Sequence, residues 1–116
     1  MSECIFCQIV KGQIPSKRVY EDEEVVAFHD IAPKAPIHVL IIPRKHIPTL
    51  ADVTEEDLPL IAAIHRGALA VARELGLQEN GFRLVNNCKK DGGQEVYHLH
   101  YHLLGGAPLA MHFGQR

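Results

Sequence analysis

The sequence predicts an α+β layer, a meandering antiparallel sheet of about five strands carrying one long helix. Three observations predict it: short β-branched runs parted by Pro, Gly and acidic turns, one stretch of helical spacing over residues 58–75, and a strictly alternating segment, "VYHLHYHLL". The 116 residues are 47% apolar and 22% charged, which suits a single domain over 1–116 with a real core. No repeat, low-complexity tract or linker divides it.

A short apolar segment from about Ile5 to Val10 ends at Lys11-Gly12 and leads into an Ile14-Pro15 turn. "RVYEDEEVVAFHD" then reads as two strands around the acidic turn Asp22-Glu23-Glu24, a hairpin. Pro33 and Pro36 break the chain before "HVLIIP", a run stopped by Pro43. Its continuous apolarity marks a central strand covered on both faces.

The helix follows. Asp52 or Thr54 can cap it, Glu55, Glu56 and Asp57 favour the positive end of its dipole, and Pro59 fits the first turn. Leu58, Ile61, Ile64, His65, Ala68, Leu69, Ala72 and Leu75 keep helical spacing until Gly76. The apolar face is wider than one stripe, so one side is expected against the sheet and another against a second subunit. "FRLVNN" and "VYHLHYHLL" complete the sheet, joined by a turn over residues 89–93.

A net charge of −2 supplies no basic field for nucleic acid or anionic membrane, so neither is expected as a partner. The apolar runs are too short and Pro-interrupted to span a bilayer, and "MSECIFCQIVKG" lacks the pattern of a secretory signal. Three cysteines, an odd count, then suggest a reducing, cytoplasmic setting with thiols reduced or on metal.

In an extended strand His98, His100 and His102 share a face, while Leu99, Tyr101 and Leu103 turn to apolar packing. Such a row admits three readings: a solvated or structural face, a metal site, or nucleophilic catalysis by a neutral imidazole with neighbours holding the reacting oxygens. Gly92-Gly93 before the row and Gly105-Gly106 after it allow close backbone approach to an anion, and Asn87 can add an amide. Together these favour phosphoryl or nucleotidyl chemistry over a bare metal cage.

"HLHYHLL" resembles the signature of the histidine triad (HIT) nucleotide hydrolases and transferases, and the resemblance runs along nearly the whole chain. "FHDIAPKAPIHVLIIPRKHI" and "DGGQEVYHLHYHLLGG" are similar to the Hint branch, the purine nucleoside phosphoramidases. The resemblance implies a HIT-like fold with a short N-terminal helix. It implies a homodimer that binds a purine nucleotide or nucleoside phosphoramidate and releases nucleoside monophosphate and amine. His100 would be the nucleophile that forms a nucleotidyl-histidine, His102 would polarise a phosphate oxygen, and His38 would join the cluster beside His98. Asp30 would take the ribose hydroxyls, and Phe6, Phe28 and Ile31 the purine. Asn87, Gly93 and the amides near Glu95 and Val96 would hold the phosphate.

Many relatives of that branch carry Ser where this chain has Glu95. A carboxylate repels phosphate, so Glu95 either points away and offers only its N–H, or recognises a cationic leaving amine. Some relatives also bind a structural zinc, which here would fall on Cys4, Cys7, His46 and His98; no catalytic metal or organic cofactor is implied. Cys88 reads as a buried strand-end thiol, and His29, His65 and His112 as surface, interface or packing residues. In the "APLAMHFGQR" tail, Met111 and Phe113 are candidates to cover a partner's pocket. The competing activities are dinucleoside polyphosphate hydrolysis and a nucleotide-binding interaction module. The uridylyltransferase branch is disfavoured, because it has Gln where this chain has His102.

Overall fold

A computed structural model describes residues 4–111 and 113–114. The expectation for His112 lies outside them. A six-residue helix, α1 (Ile5–Val10), precedes a hairpin of β1 (Arg18–Glu21) and β2 (Val25–His29). Strand β3 (Ile37–Pro43) and two short 3-10 turns lead to α2 (Leu58–Glu74). The chain ends with β4 (Phe82–Asn86), a one-turn helix α3 (Lys89–Gly92) and β5 (Tyr101–Gly105). All five strands pair antiparallel in the order β1-β2-β3-β5-β4. The expected architecture is the observed one.

Local chemistry accounts for these elements. In the hairpin turn, Asp22 Oδ1 accepts from the N–H groups of Glu24 and Val25, and Tyr20 donates to Asp22 Oδ2. Ahead of α2, Thr54 and Asp57 form a reciprocal capping box, and Pro59 occupies the first helical turn. Thr54 is thus the capping residue, one 3-10 turn before the helix proper.

The central position of β3 explains its unbroken apolarity. Val39 and Ile41 join Val25, Ala27, Leu99 and Leu103 in a core closed by Ala63, Ile64, Ala68, Val71 and Ala72 of α2. On the opposite face Leu40 and Ile42 pack with Val26 and Phe28 beneath Phe6 and Ile9 of α1. Gly67 permits the close seating of α2, since a Cβ there would meet Val25 Cγ2 at 3.3 Å. Leu58 and Leu69 remain about half exposed on the outer side of α2, at 52% and 56%.

Three local expectations change. Lys89–Gly92 form α3 rather than a plain turn, stopped by Gly93 at φ +80°. Cys88 stands half-buried at the position before this helix, without a side-chain capping bond, and does not end a strand. The last strand begins at Tyr101 rather than Val96. The β3–β5 register would oppose Leu99 to Pro43, which has no N–H to continue the ladder. Leu99 instead donates to Ile47 O at 2.7 Å, and His98 through His100 stand outside the ladder, His98 in a bend.

Candidate active site and metal centre

The sheet register assembles a polar row on the face that carries α1. His102 of β5 lies opposite Leu40, Leu40 opposite Phe28, and one step along the same strands His38 O accepts from Asp30 N–H. These residues floor an open cleft of about 1330 Å³ that reaches His38, His100 and His102 at one end and α1 at the other. Every residue expected at the nucleotide site borders it: Phe6, Phe28, Asp30 and Ile31 on one side, Asn87, Gly93, Glu95 and Val96 on the other. His98 does not, because it is fully buried behind them.

Hydrogen bonds fix the tautomer of each imidazole. His100 Nδ1 stands 2.8 Å from His98 O, and only a protonated nitrogen bonds a carbonyl, so neutral His100 keeps its lone pair on Nε2. His38 Nδ1 accepts from Lys34 N–H at 3.0 Å, which leaves the proton on His38 Nε2. That nitrogen donates to His102 Nδ1 at 2.9 Å, so the His102 proton resides on Nε2. Asp30 Oδ2 sits 3.5 Å from His38 Nε2, and its Oδ1 accepts from Ala32 N–H. The result is one bare nitrogen on His100 and one N–H donor on His102.

Burial keeps this set uncharged. It pushes His102 down to about 4, with the neighbouring His100 and His38 adding to the effect. His100 and His38 are also lowered by burial, against a partial opposing pull from Asp30. A neutral imidazole is the nucleophilic form, so the site is poised without a preceding deprotonation at neutral pH.

The phosphate-side loop is held from within. Buried Gln94 accepts from Lys89 N–H and donates to the carbonyls of Pro48 and Val96. Gly93 N–H is committed to Lys90 O, so this residue brings a close backbone approach but no amide. The N–H groups of Glu95 and Val96 have no partner among the described residues, nor does the Asn87 side chain. Glu95 is exposed and borders the cleft.

The apolar wall divides in two. Phe6 and Phe28 are buried core residues whose rings meet edge to face at 5.7 Å, and Phe6 also lies 5.1 Å from His100. Ile31 stands fully exposed at the cleft mouth. Sequence reasoning missed Gln94, Lys34 and Asn86, whose side chain donates to His100 O at 2.9 Å. Asn86 and Gln94 reach carbonyls in other segments, and Lys34 acts on His38 through its backbone N–H, so residue type and spacing carried no signal for them. Ser16 and Leu40 also border the cleft, and alternation along β3 from His38 would have identified Leu40. Of the remaining histidines, His29 borders the cleft, and exposed His65 meets Tyr101 edge to face at 5.7 Å.

Behind the cleft, Cys4, Cys7, His46 and His98 form a group that could hold a metal ion, all ligand atoms lying within 4.8 Å of one another. Cys4 Sγ and Cys7 Sγ are 3.4 and 3.6 Å from His98 Nδ1, and His46 Nδ1 is 3.3 Å from Cys7 Sγ and 3.2 Å from His98 Nδ1. Zinc bonds of roughly 2.0–2.3 Å at tetrahedral angles would set such atoms roughly 3.3–3.8 Å apart. His98 Nε2 donates to Pro43 O at 2.8 Å, which leaves its Nδ1 lone pair facing the two sulfurs. The donor set therefore fits a four-coordinate metal.

Comparison with known proteins agrees with this arrangement. Residues 3–114 match the family model described as scavenger mRNA decapping enzyme C-term binding. The purine nucleoside phosphoramidase of Escherichia coli K12 is 49% identical over 107 residues, which are 92% of this chain and 90% of that protein. A HIT family hydrolase from Legionella pneumophila superposes with a TM-score of 0.90 at 51% identity, covering 93% of this chain and 96% of the other. A histidine triad protein from Clostridium difficile gives 0.92 at 46% identity, covering 97% and 100%. This chain belongs to the histidine triad family.

Proposed function

We propose that the protein hydrolyses purine nucleoside 5′-phosphoramidates to nucleoside monophosphate and amine through a nucleotidyl intermediate on His100. The observation that carries this reading is the bare Nε2 of His100 in a cleft whose neighbouring donors are uncharged. The Escherichia coli relative supplies the substrate class.

His100 Nε2 bonds to phosphorus while the P–N bond to the amine breaks. His102 Nε2–H, Asn87 and the amides of Glu95 and Val96 hold the nonbridging oxygens, where charge accumulates. A water molecule entering the open cleft gives the departing amine its proton. Water cleaves the nucleotidyl-histidine and restores the site. Asp30, with Oδ2 held only loosely by His38, accepts from the ribose hydroxyls, and Phe6, Phe28 and Ile31 flank the purine.

We assign zinc to the Cys4–Cys7–His46–His98 group, where it would orient the backbone carbonyl of His98 that holds His100. A reducing cytoplasm suits two thiolate ligands, and fractionation of cells expressing the native protein checks it. The half-exposed Leu58 and Leu69 support a homodimer built on α2.

Turnover of adenosine 5′-phosphoramidate beside diadenosine tetraphosphate tests the substrate class. The proposal expects AMP release from the phosphoramidate to be at least about a hundredfold faster in kcat/KM, a gap of some 3 kcal/mol in transition-state binding. Preference for the dinucleotide would reassign the enzyme to polyphosphate hydrolysis, and inertness toward both would leave a binding module.

A further inference from the structure

Gln94 is buried, and its side-chain amide is bonded at both ends. Oε1 accepts from Lys89 N–H at 2.8 Å, while Nε2 donates to Pro48 O at 2.8 Å and to Val96 O at 3.0 Å. The backbone N–H of Gln94 also donates to Lys89 O at 3.0 Å, so main chain and side chain close the loop from Lys89 together. Lys89 sits at φ +61°, a left-handed conformation that a residue with a Cβ keeps only where its surroundings impose it. The two bonds from Gln94 supply that constraint. Within the closed loop Gly92 lies against Asn87, where an added Cβ would stand 3.3 Å from the Asn87 carbonyl carbon.

The remaining bond of the amide reaches outside the loop. Pro48 follows Ile47, whose carbonyl accepts from Leu99 N–H at 2.7 Å, and Leu99 immediately precedes His100. Residues 96–98 form a bend outside the ladder, and it joins Val96 to the nucleophile covalently. The path from Leu99 through Ile47, Pro48 and Gln94 to Val96 O braces that bend from the other side. The spacing between His100 and the amides of Glu95 and Val96 is thereby fixed twice. Rates depend steeply on such spacing, since a misplacement of about 1 Å at a reacting centre costs on the order of a hundredfold.

We propose that Gln94 is a positioning residue for the reaction, one that fixes the Glu95 and Val96 amides against the phosphorus His100 attacks. The inference rests on the proposed function, which seats the phosphate on those amides. Gln94 does not border the cleft, so it acts through the backbone and touches no substrate atom.

Gln94→Met keeps the bulk of the side chain and removes its hydrogen bonds, while Gln94→Glu keeps the acceptor for Lys89 N–H and removes both donors. With adenosine 5′-phosphoramidate, kcat per folded chain should fall about tenfold to a hundredfold in each variant. KM should change by less than about threefold, because Asp30 and the apolar wall still hold the nucleoside. Amide NMR spectra of the same samples give the folded fraction and a signature that a merely structural role would not move. In the native protein AMP should shift the Glu95 and Val96 amides together with those of Asp30 and Ile31. In Gln94→Met the first pair of shifts should shrink while the second persists. A kcat within about threefold of native in both variants overturns the positioning role and leaves phosphoramidate hydrolysis standing. Undiminished shifts at Glu95 and Val96 in Gln94→Met do the same. Native Glu95 and Val96 amides that ignore AMP overturn it as well, whether or not either variant folds. Absence of turnover by the native protein overturns the proposed function and this inference with it.

Discussion

His100 acquires its character from one hydrogen bond to the carbonyl of His98, two residues earlier. His98 is itself held by Pro43 O on one ring nitrogen and faces two sulfurs and His46 with the other. The metal group and the nucleophile thus share a residue, one using its ring and the other its backbone. Replacement of one thiol tests that arrangement. Cys7→Ser should lower bound zinc, measured by elemental analysis, from one ion per chain to well under half. It should also reduce turnover, because metal ligands typically cost 10–100-fold when the shell around a site is disturbed, about that range here. Full zinc occupancy in the variant would contradict the assignment. At this scale the alternating histidines, the C-x-x-C pair and Asp30 were legible in the sequence. Gln94 and Asn86 were not, because each bonds a backbone carbonyl far along the chain, nor was Lys34, because it acts through its backbone N–H, which its residue type does not report. Gly106 was legible only as a turn, whereas its φ of +92° and the 3.0 Å between an added Cβ and Pro36 make it obligatory.

Among the elements, α2 was the most legible, because seventeen residues of helical periodicity leave little ambiguity. The start of β5 was the least, since alternation continues through His98 while the ladder stops where Pro43 offers no N–H. Alternation reports which face a side chain takes and not whether the backbone is paired. That is why the histidine row reads correctly although its first two members precede the strand. The outer face of α2 carries Leu58 and Leu69 half exposed beside His65. Burial of such residues against a second copy would contribute about 1.5–3 kcal/mol each. Light scattering should therefore give twice the 12.9 kDa chain mass for the native protein and a shift toward monomer for Leu69→Asp. A native protein that is monomeric at micromolar concentration would contradict the dimer.

Across the whole molecule, two apolar layers enclose a sheet whose cleft side stores several uncharged imidazoles. That has a consequence for acid stability. His102 binds protons at about 4 in the folded protein, whereas an unfolded histidine does so near its ordinary value of 6.5. Below that ordinary value the unfolded chain holds more protons, so folding stability is present above pH 6.5 and declines as pH falls toward 4. Denaturant midpoints should drop across that window, and His102→Gln should flatten the slope. A midpoint rising toward pH 4 would contradict neutral burial. Phe6 packs within the cleft-side layer, its ring meeting those of Phe28, His98 and His100.

The central claim is that His100 becomes covalently nucleotidylated. Intact-mass measurement after rapid alkaline quench, with adenosine 5′-phosphoramidate as substrate, tests it most directly. The account predicts a transient adduct of one AMP moiety that peptide mapping assigns to His100. It also predicts the adduct's absence in His100→Ala, with turnover lower by about 10⁴-fold or more. Undiminished turnover by His100→Ala, or an adduct mapped to another histidine, would contradict it.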